Sequence, residues 1–346
     1  MKILIFLLLP VLFLISCSKD QQINKLFRIY SGKNPGASLM VIKDGIPVLI
    51  KSFGMANIEK EIPVVPETNF RLASLTKQFT AMAIMLMIQD GKICLDDKLK
   101  DIFPDFPDYG KNISIRHLLQ HTSGLIDYET LIPDTATKQV SDRDVLNLMM
   151  GVDSTYFQPG TQHRYSNSAY AVLVMILEKL SGISFSEFLK TNIFIPLQMT
   201  NTVAFTEGKN EVSHRALGYH IEKEAILFSD QSPTSAVLGD GGIYSSVYDL
   251  YKWDQALNTN TLLSKDWFLE YVKPGLEGYG FGWHIDTYKG KYRMSHTGST
   301  CGFRNVIQRY PDDNLTIILL TNRREPDIEP LADRIAEIFF NLQSGK

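Results

Sequence analysis

The sequence predicts an α/β (α+β) fold: a mostly antiparallel sheet built from both ends of the chain, flanked by terminal helices, with a helical lobe inserted between its halves. Three observations predict it. Near the N-terminus, residues Gly36 to Phe53 hold two strand-like runs around Asp44-Gly45, a strong hairpin signal. Far downstream, Tyr279 to Asp286, Lys291 to Ser295, Gly302 to Arg309 and Leu315 to Thr321 are rich in β-branched or aromatic residues, and Gly-rich or Pro-Asp-Asp-Asn turns separate them. The stretch between the two groups is mostly helical in pattern.

Taken in order, the chain opens with Met1-Lys2 and an apolar run from Ile3 to Ile15 broken only by Pro10. That run is too short for a bilayer-spanning helix, which needs about 20 residues. A basic start, a short apolar stretch and a small residue before the break read as a secretory signal over residues 1–16. Leu14-Ile15-Ser16-Cys17 resembles the lipobox of bacterial lipoproteins, which implies that Cys17 becomes the lipidated first residue of the mature chain. Polar residues Ser18 to Gln22 follow, so 17–22 is expected to be an unstructured tether and the protein a membrane-anchored lipoprotein of the cell envelope.

The α/β lobe is assigned to 23–75 plus 236–346 and the helical lobe to 76–235, one domain overall. Helical patterns cover Lys77 to Gln89, His117 to Gln120, Ala169 to Leu180 and Phe185 to Lys190, with Gly91 and Gly182 as stops, and Ile328 to Leu342 closes the chain. The first helix carries Met82, Met85 and Met87 and is apolar nearly all round, as a buried helix is. A formal charge of −3, with no basic stripe, gives no reason to expect nucleic acid. No His-Glu-x-x-His or Cys/His cluster has metal spacing, so neither metal nor cofactor is expected. Cys94 and Cys301 are read as free thiols, although nothing in the sequence rules out their pairing.

Ser74-Leu75-Thr76-Lys77 heads the apolar run at the lobe boundary, where a cleft is expected. Spacing of three puts Lys77 on the helical face of Ser74, so an amine stands by a hydroxyl that is a poor nucleophile unaided. The spacing alone proves little, because Ser16-Cys17-Ser18-Lys19 repeats it in the leader. Its company is what counts. Tyr165-Ser166-Asn167 and His296-Thr297-Gly298-Ser299 follow in order, with agreeing flanks at Phe70 to Ala73, at Leu118 to Leu125 and at Gly241 to Ser246.

Here the chain resembles the serine β-lactamase and penicillin-recognising family, in its class C-like branch, which also holds D,D-carboxypeptidases, D-aminopeptidases and carboxylesterases. The resemblance covers roughly Gly36 to Asn322 and implies a β-lactamase-like fold and hydrolysis through an acyl-enzyme. Carried over residue by residue, it implies Ser74 as nucleophile, Lys77 holding the Ser74 hydroxyl or Tyr165 deprotonated, and Tyr165 as general base. Asn167 would orient Lys77 and the substrate carbonyl. The N–H groups of Ser74 and Ser299 would form the oxyanion hole beside Thr297 and Gly298.

Two departures stand out. Most relatives carry lysine where this chain has His296, and a histidine near its ordinary range is mostly neutral at pH 7. Selection of a substrate carboxylate is therefore weakened, and esters or D-amino-acid substrates gain weight. Arg304 on the next strand is the candidate to restore the charge. Cys301 stands where relatives often have proline. His121 of His-Thr-Ser-Gly is read as a structural loop histidine near the cleft rather than a ligand or base. The expected substrate is a small molecule or peptide; peptidase, esterase and β-lactamase stay unranked. An idle penicillin- or cell-wall-peptide-binding module and an envelope scaffold protein are the rivals.

Overall fold

The structure is a computed structural model, and it describes residues 19–340. The expected signal and Cys17 lie outside the described residues. Lys19 to Gln22, expected as tether, are helical within α1 (19–26), because Ile23 and Phe27 on this segment are fully buried and anchor it to the body.

Six strands form the main sheet: β1 (Ala37–Lys43), β2 (Ile46–Phe53), β3 (His284–Tyr288), β4 (Lys291–Thr300), β5 (Phe303–Tyr310) and β6 (Leu315–Thr321), in the order β3-β4-β5-β6-β1-β2 and antiparallel throughout. Asp44 and Gly45 turn the first hairpin with φ of 53° and 77°, the double left-handed geometry that matches strand twist. The turn closes the two halves of the chain into one sheet, since β1 pairs on its other side with β6.

Alternation along the strands sorts two cores. Leu39, Val41, Val306, Tyr310, Ile317 and Leu319 pack with α1 and with α6 (Glu329–Phe340) on one face. Met40, Ile42, Phe303, Ile307, Ile318 and Leu320 face the helical lobe. That lobe is built on α2 (Thr76–Gln89), α3 (Asp142–Met150) and α4 (Asn167–Ser181). The methionines of α2 are core filling, as expected, with Met82, Met85 and Met87 at 1% exposure or less. Ser166 caps α4 by accepting from the Ala169 N–H, and Gly182, at φ 75°, ends it.

The helical stretch is less uniform than expected. Residues Tyr219–Glu222 and Ala225–Phe228 form a hairpin that bonds through Tyr219 to Asn322 and Arg324 beside the sheet. α3 and α5 (Val247–Ala256) were not read from the sequence; both start on serine caps, Ser141 and Ser246. Cys94 and Cys301 are free thiols.

Candidate active site

Ser74 sits in a single 3₁₀ turn, Ala73–Leu75, that feeds directly into α2. Ala73 adopts φ 51°, a left-handed conformation that costs a non-glycine residue about 1 kcal/mol or more and persists only where packing enforces it. The enforcing neighbour is β4. A Cβ on Gly298 would lie 2.1 Å from the Leu72 carbonyl oxygen and 3.2 Å from the Ser74 nitrogen, so glycine lets strand and turn touch. β3 pairs only with Lys291 to Ser295, which leaves His296 to Thr300 as an open sheet edge beside Ser74.

One turn on, Lys77 is completely buried, yet its amine is satisfied. Nζ donates to Ser74 Oγ at 3.1 Å, to Asn167 Oδ1 at 2.8 Å and to the Asp240 carbonyl at 2.9 Å, three acceptors for the three protons of an ammonium. It also lies 4.9 Å from the centre of the Tyr165 ring and 5.5 Å from that of Tyr170. Tyr165 Oη is screened from solvent and has no hydrogen-bond partner among the described residues. A phenol left unpaired at a serine–lysine pair is free to bind a water or a substrate group.

The structure thus brings Ser74, Lys77, Tyr165 and Asn167 into one cluster, with Gly298 against its turn. Thr297 and Ser299 alternate to the other face of β4 and flank its open edge, Thr297 half-buried and Ser299 exposed. His296, expected as a mostly neutral histidine in its ordinary range, is buried on β4. It is 2% exposed, with Nδ1 donating to the Thr297 carbonyl at 2.6 Å and Nε2 3.0 Å from the Tyr279 hydroxyl, which donates to it. Burial, with His284 and Lys77 nearby, pushes its pKa well below the usual range, so the ring is neutral.

Arg304 does not restore the lost charge. It shares the face of β5 that carries Val306 and Tyr310, and its Nε donates to the Arg324 carbonyl at 2.8 Å. Its neighbour Asn305 is the residue that faces the cleft layer, donating to the Arg71 carbonyl at 2.7 Å. Strand alternation is the reason, since one position of shift reverses the face. His121 is the loop histidine expected. It is buried at φ 57°, accepts the Ser166 N–H on Nδ1 at 3.1 Å, and lies 4.2 Å from the Tyr165 ring, holding the Tyr165–Asn167 segment in place.

Three acids that the sequence reading missed surround the cluster. Glu129, exposed, accepts from Asn167 Nδ2 at 2.7 Å. Asp240, whose carbonyl receives Lys77, takes the Tyr128 hydroxyl on its own carboxylate at 3.0 Å; burial raises its pKa to about 6, with Lys77 opposing. Asp142 accepts the N–H groups of Leu238 and Gly239 at 2.8 and 3.0 Å, which fixes the short helix Leu238–Gly241 and with it the Asp240 carbonyl. Burial raises Asp142 to about 8 despite those two donors. Only the glycine pair Gly241-Gly242 hinted at this segment. A pocket of about 620 Å³ between residues 131–140 and α3 includes none of the four clustered side chains in its lining.

Comparison with known proteins gives the family. The chain matches the family described as "Beta-lactamase" over residues 21–339. It is 32% identical over 330 residues to penicillin-binding protein 4* of Bacillus subtilis, covering 89% of this chain and 73% of that protein. Among solved structures, the octameric penicillin-binding protein homologue of Pyrococcus abyssi superposes with a TM-score of 0.82 at 27% identity, covering 94% of this chain and 77% of that one. The D-amino acid amidase of Ochrobactrum anthropi SV3, in complex with L-phenylalanine, superposes with a TM-score of 0.79 at 25% identity, covering 94% and 99%. With a serine–lysine–tyrosine cluster on a β-lactamase-like α/β fold and a match that runs through nearly the whole body, this chain belongs to the beta-lactamase family of serine hydrolases.

Proposed function

We propose that the protein is an envelope serine hydrolase that cleaves amides or esters through an acyl-enzyme on Ser74. The observation that carries it is the Lys77 amine held between Ser74 Oγ and Asn167 beneath an unpaired Tyr165 hydroxyl. Ser74 Oγ would attack the substrate carbonyl carbon while its proton passes to the Tyr165–Lys77 pair, which for this step holds one proton fewer than a phenol and an ammonium together. The carbonyl oxygen would take the negative charge, met by the N–H groups of Ser74 and Ser299. Collapse would break the bond to the leaving amine or alcohol, which receives that proton, and leave an ester on Ser74. A water, deprotonated by Tyr165, would then release the acid and restore the serine.

Within this class we favour substrates with no carboxylate requirement, such as esters and amides of D-amino acids, over β-lactams. A buried neutral His296 occupies the place of a cation, Arg304 turns away, and the carboxylate of Glu129 stands at Asn167. A negative charge there disfavours an anionic substrate and favours an ammonium. The amidase likeness at 25% identity supports the same choice. The Leu14-Ile15-Ser16-Cys17 sequence supports a lipid anchor on Cys17, hence membrane attachment.

Intact-mass spectrometry tests the reaction. Purified protein is incubated separately with penicillin, a short acyl ester, a D-Ala-D-Ala peptide and a D-amino acid amide. An adduct or turnover that disappears in Ser74→Ala is expected, with the ester or amide consumed fastest. Absence of adduct and of turnover across the panel would favour an idle binding module and overturn the proposal.

A further inference from the structure

The edge of the sheet opposite the cleft carries an exposed apolar stripe. On β2, Ile46 is 65% exposed, Val48 49% and Ile50 37%. β2 is the last strand of its sheet among the described residues. By register Ile46 lies opposite Lys43 and Ile50 opposite Met40, with Val48 the extra residue of a bulge between them, so the three line the free edge rather than one face, while Leu49 and Phe53 pack into the terminal-helix core.

The chain enters the body at this same edge. Phe27, just after α1, stacks on Phe53 of β2 with ring centres 4.5 Å apart. One and two turns earlier, Asn24 and Asp20 lie 3.2 and 3.5 Å from Lys51 of β2. α1 therefore runs back along β2, and its first described residue, Lys19, lies over Phe339 at 4.9 Å. Cys17 is two residues before Lys19, a reach of about 7 Å at full extension. An acyl chain on Cys17 has no long tether to swing on.

We infer that the β2 edge, with Ile46, Val48 and Ile50, is the surface on which the folded domain rests against the lipid bilayer. This rests on the Cys17 anchor reading. Charge suits an anionic leaflet: Lys25 and Arg28 are exposed on and just after α1, while the edge carboxylates Asp20 and Asp44 each lie within 4 Å of a lysine, Lys51 and Lys43. A second copy is the poorer occupant. Pro47 removes one edge N–H, and the β1–β2 register breaks between Val41 and Ile42, both of which discourage strand addition. The consequence is orientation. β4, with Gly298, lies four strands from β2, about 19 Å across the sheet, so a domain resting on β2 opens its cleft away from the membrane.

The test uses the lipidated full chain, with Cys94→Ser and Cys301→Ser, in vesicles of phosphatidylethanolamine and phosphatidylglycerol at about 7:3. A cysteine replaces Val48 or, as control, Ile183 of the helical lobe, which is 40% exposed, and each is labelled with an environment-sensitive dye. Intact mass first reports whether Cys17 carries lipid; an unmodified Cys17 overturns the anchor reading and this inference with it. With lipid present, the inference expects a blue shift at 48 and quenching by spin-labelled lipid at least about threefold stronger than at 183. Equal quenching at both positions overturns the inference alone. A shift at 48 that grows with protein density without lipid quenching also overturns it, in favour of a second copy.

Discussion

Gly298→Ala is the sharpest test of the strand–turn contact at the nucleophile. The added Cβ would sit 2.1 Å from the Leu72 carbonyl oxygen, whereas real Cβ contacts stay above 3.0 Å, so strand and turn must part by about 0.9 Å or more. The obstacle is backbone on both sides, and no side chain can rotate out of the way. Gly298 is not held at positive φ, so the change brings no conformational strain of its own. Overpacking of this size costs about 1–3 kcal/mol, a fall of a few degrees in thermal midpoint. Its larger effect is on geometry, because a displacement near 1 Å between nucleophile and oxyanion donors is worth about a hundredfold in rate. The assay is kcat/KM with whichever ester or amide Ser74 turns over, alongside thermal unfolding by circular dichroism. A variant that melts within a few degrees of wild type and loses about two orders of magnitude agrees with the contact. Full activity in a folded Gly298→Ala protein would refute the claim that the β4 edge forms half of the site.

Lys77→Met fills the same space without the amine, and single-turnover acylation is expected to fall by about 10³–10⁴, with Tyr165→Phe losing about 10²–10⁴; activity within tenfold of wild type in either would remove that residue from proton transfer. Glu129→Gln should leave turnover of a neutral ester unchanged and lower the preference for a free D-amino acid amide over its N-acetyl analogue by about fivefold, the effect of roughly 1 kcal/mol of screened attraction; an unchanged kcat/KM ratio contradicts it. Asp142 has a folded pKa of about 8 against an ordinary 3.8, so its contribution to stability is complete below about pH 4 and is lost as pH rises through 8. Thermal midpoints of wild type should therefore fall between pH 5 and 8.5, and Asp142→Asn should flatten that slope while lowering the midpoint at pH 5; parallel curves would show that Asp142 does not carry the dependence.

Most of the strands were legible because their signals are local. Asp44-Gly45 can only turn one way between alternating runs, and the four later strands begin and end within a few residues of the observed β3 to β6. α3 was missed because its cue is a capping box at Ser141 and Asp144 rather than a long apolar period. The tether reading of Lys19 to Gln22 failed for a related reason: the polar residues are the outer face of a helix whose anchors, Ile23 and Phe27, come just after them. Arg304 was misassigned because sequence distance from Gly302 does not report the face of a strand. Glu129, Asp142 and Asp240 carry no motif, and each joins the site only through a contact 38 to 163 positions away.

The sequence by itself determined the nucleophile candidate and its company, since Ser74 and Lys77 are one turn apart on any helix, and it determined that a neutralisable histidine replaces a permanent cation. Tertiary structure decided what those residues can do. Burial, which no local pattern reports, made His296 neutral and left Tyr165 Oη without a partner among the described residues. The approach of β4 to the Ser74 turn, possible only where a glycine has no Cβ, decided that the open sheet edge and the nucleophile share one cleft.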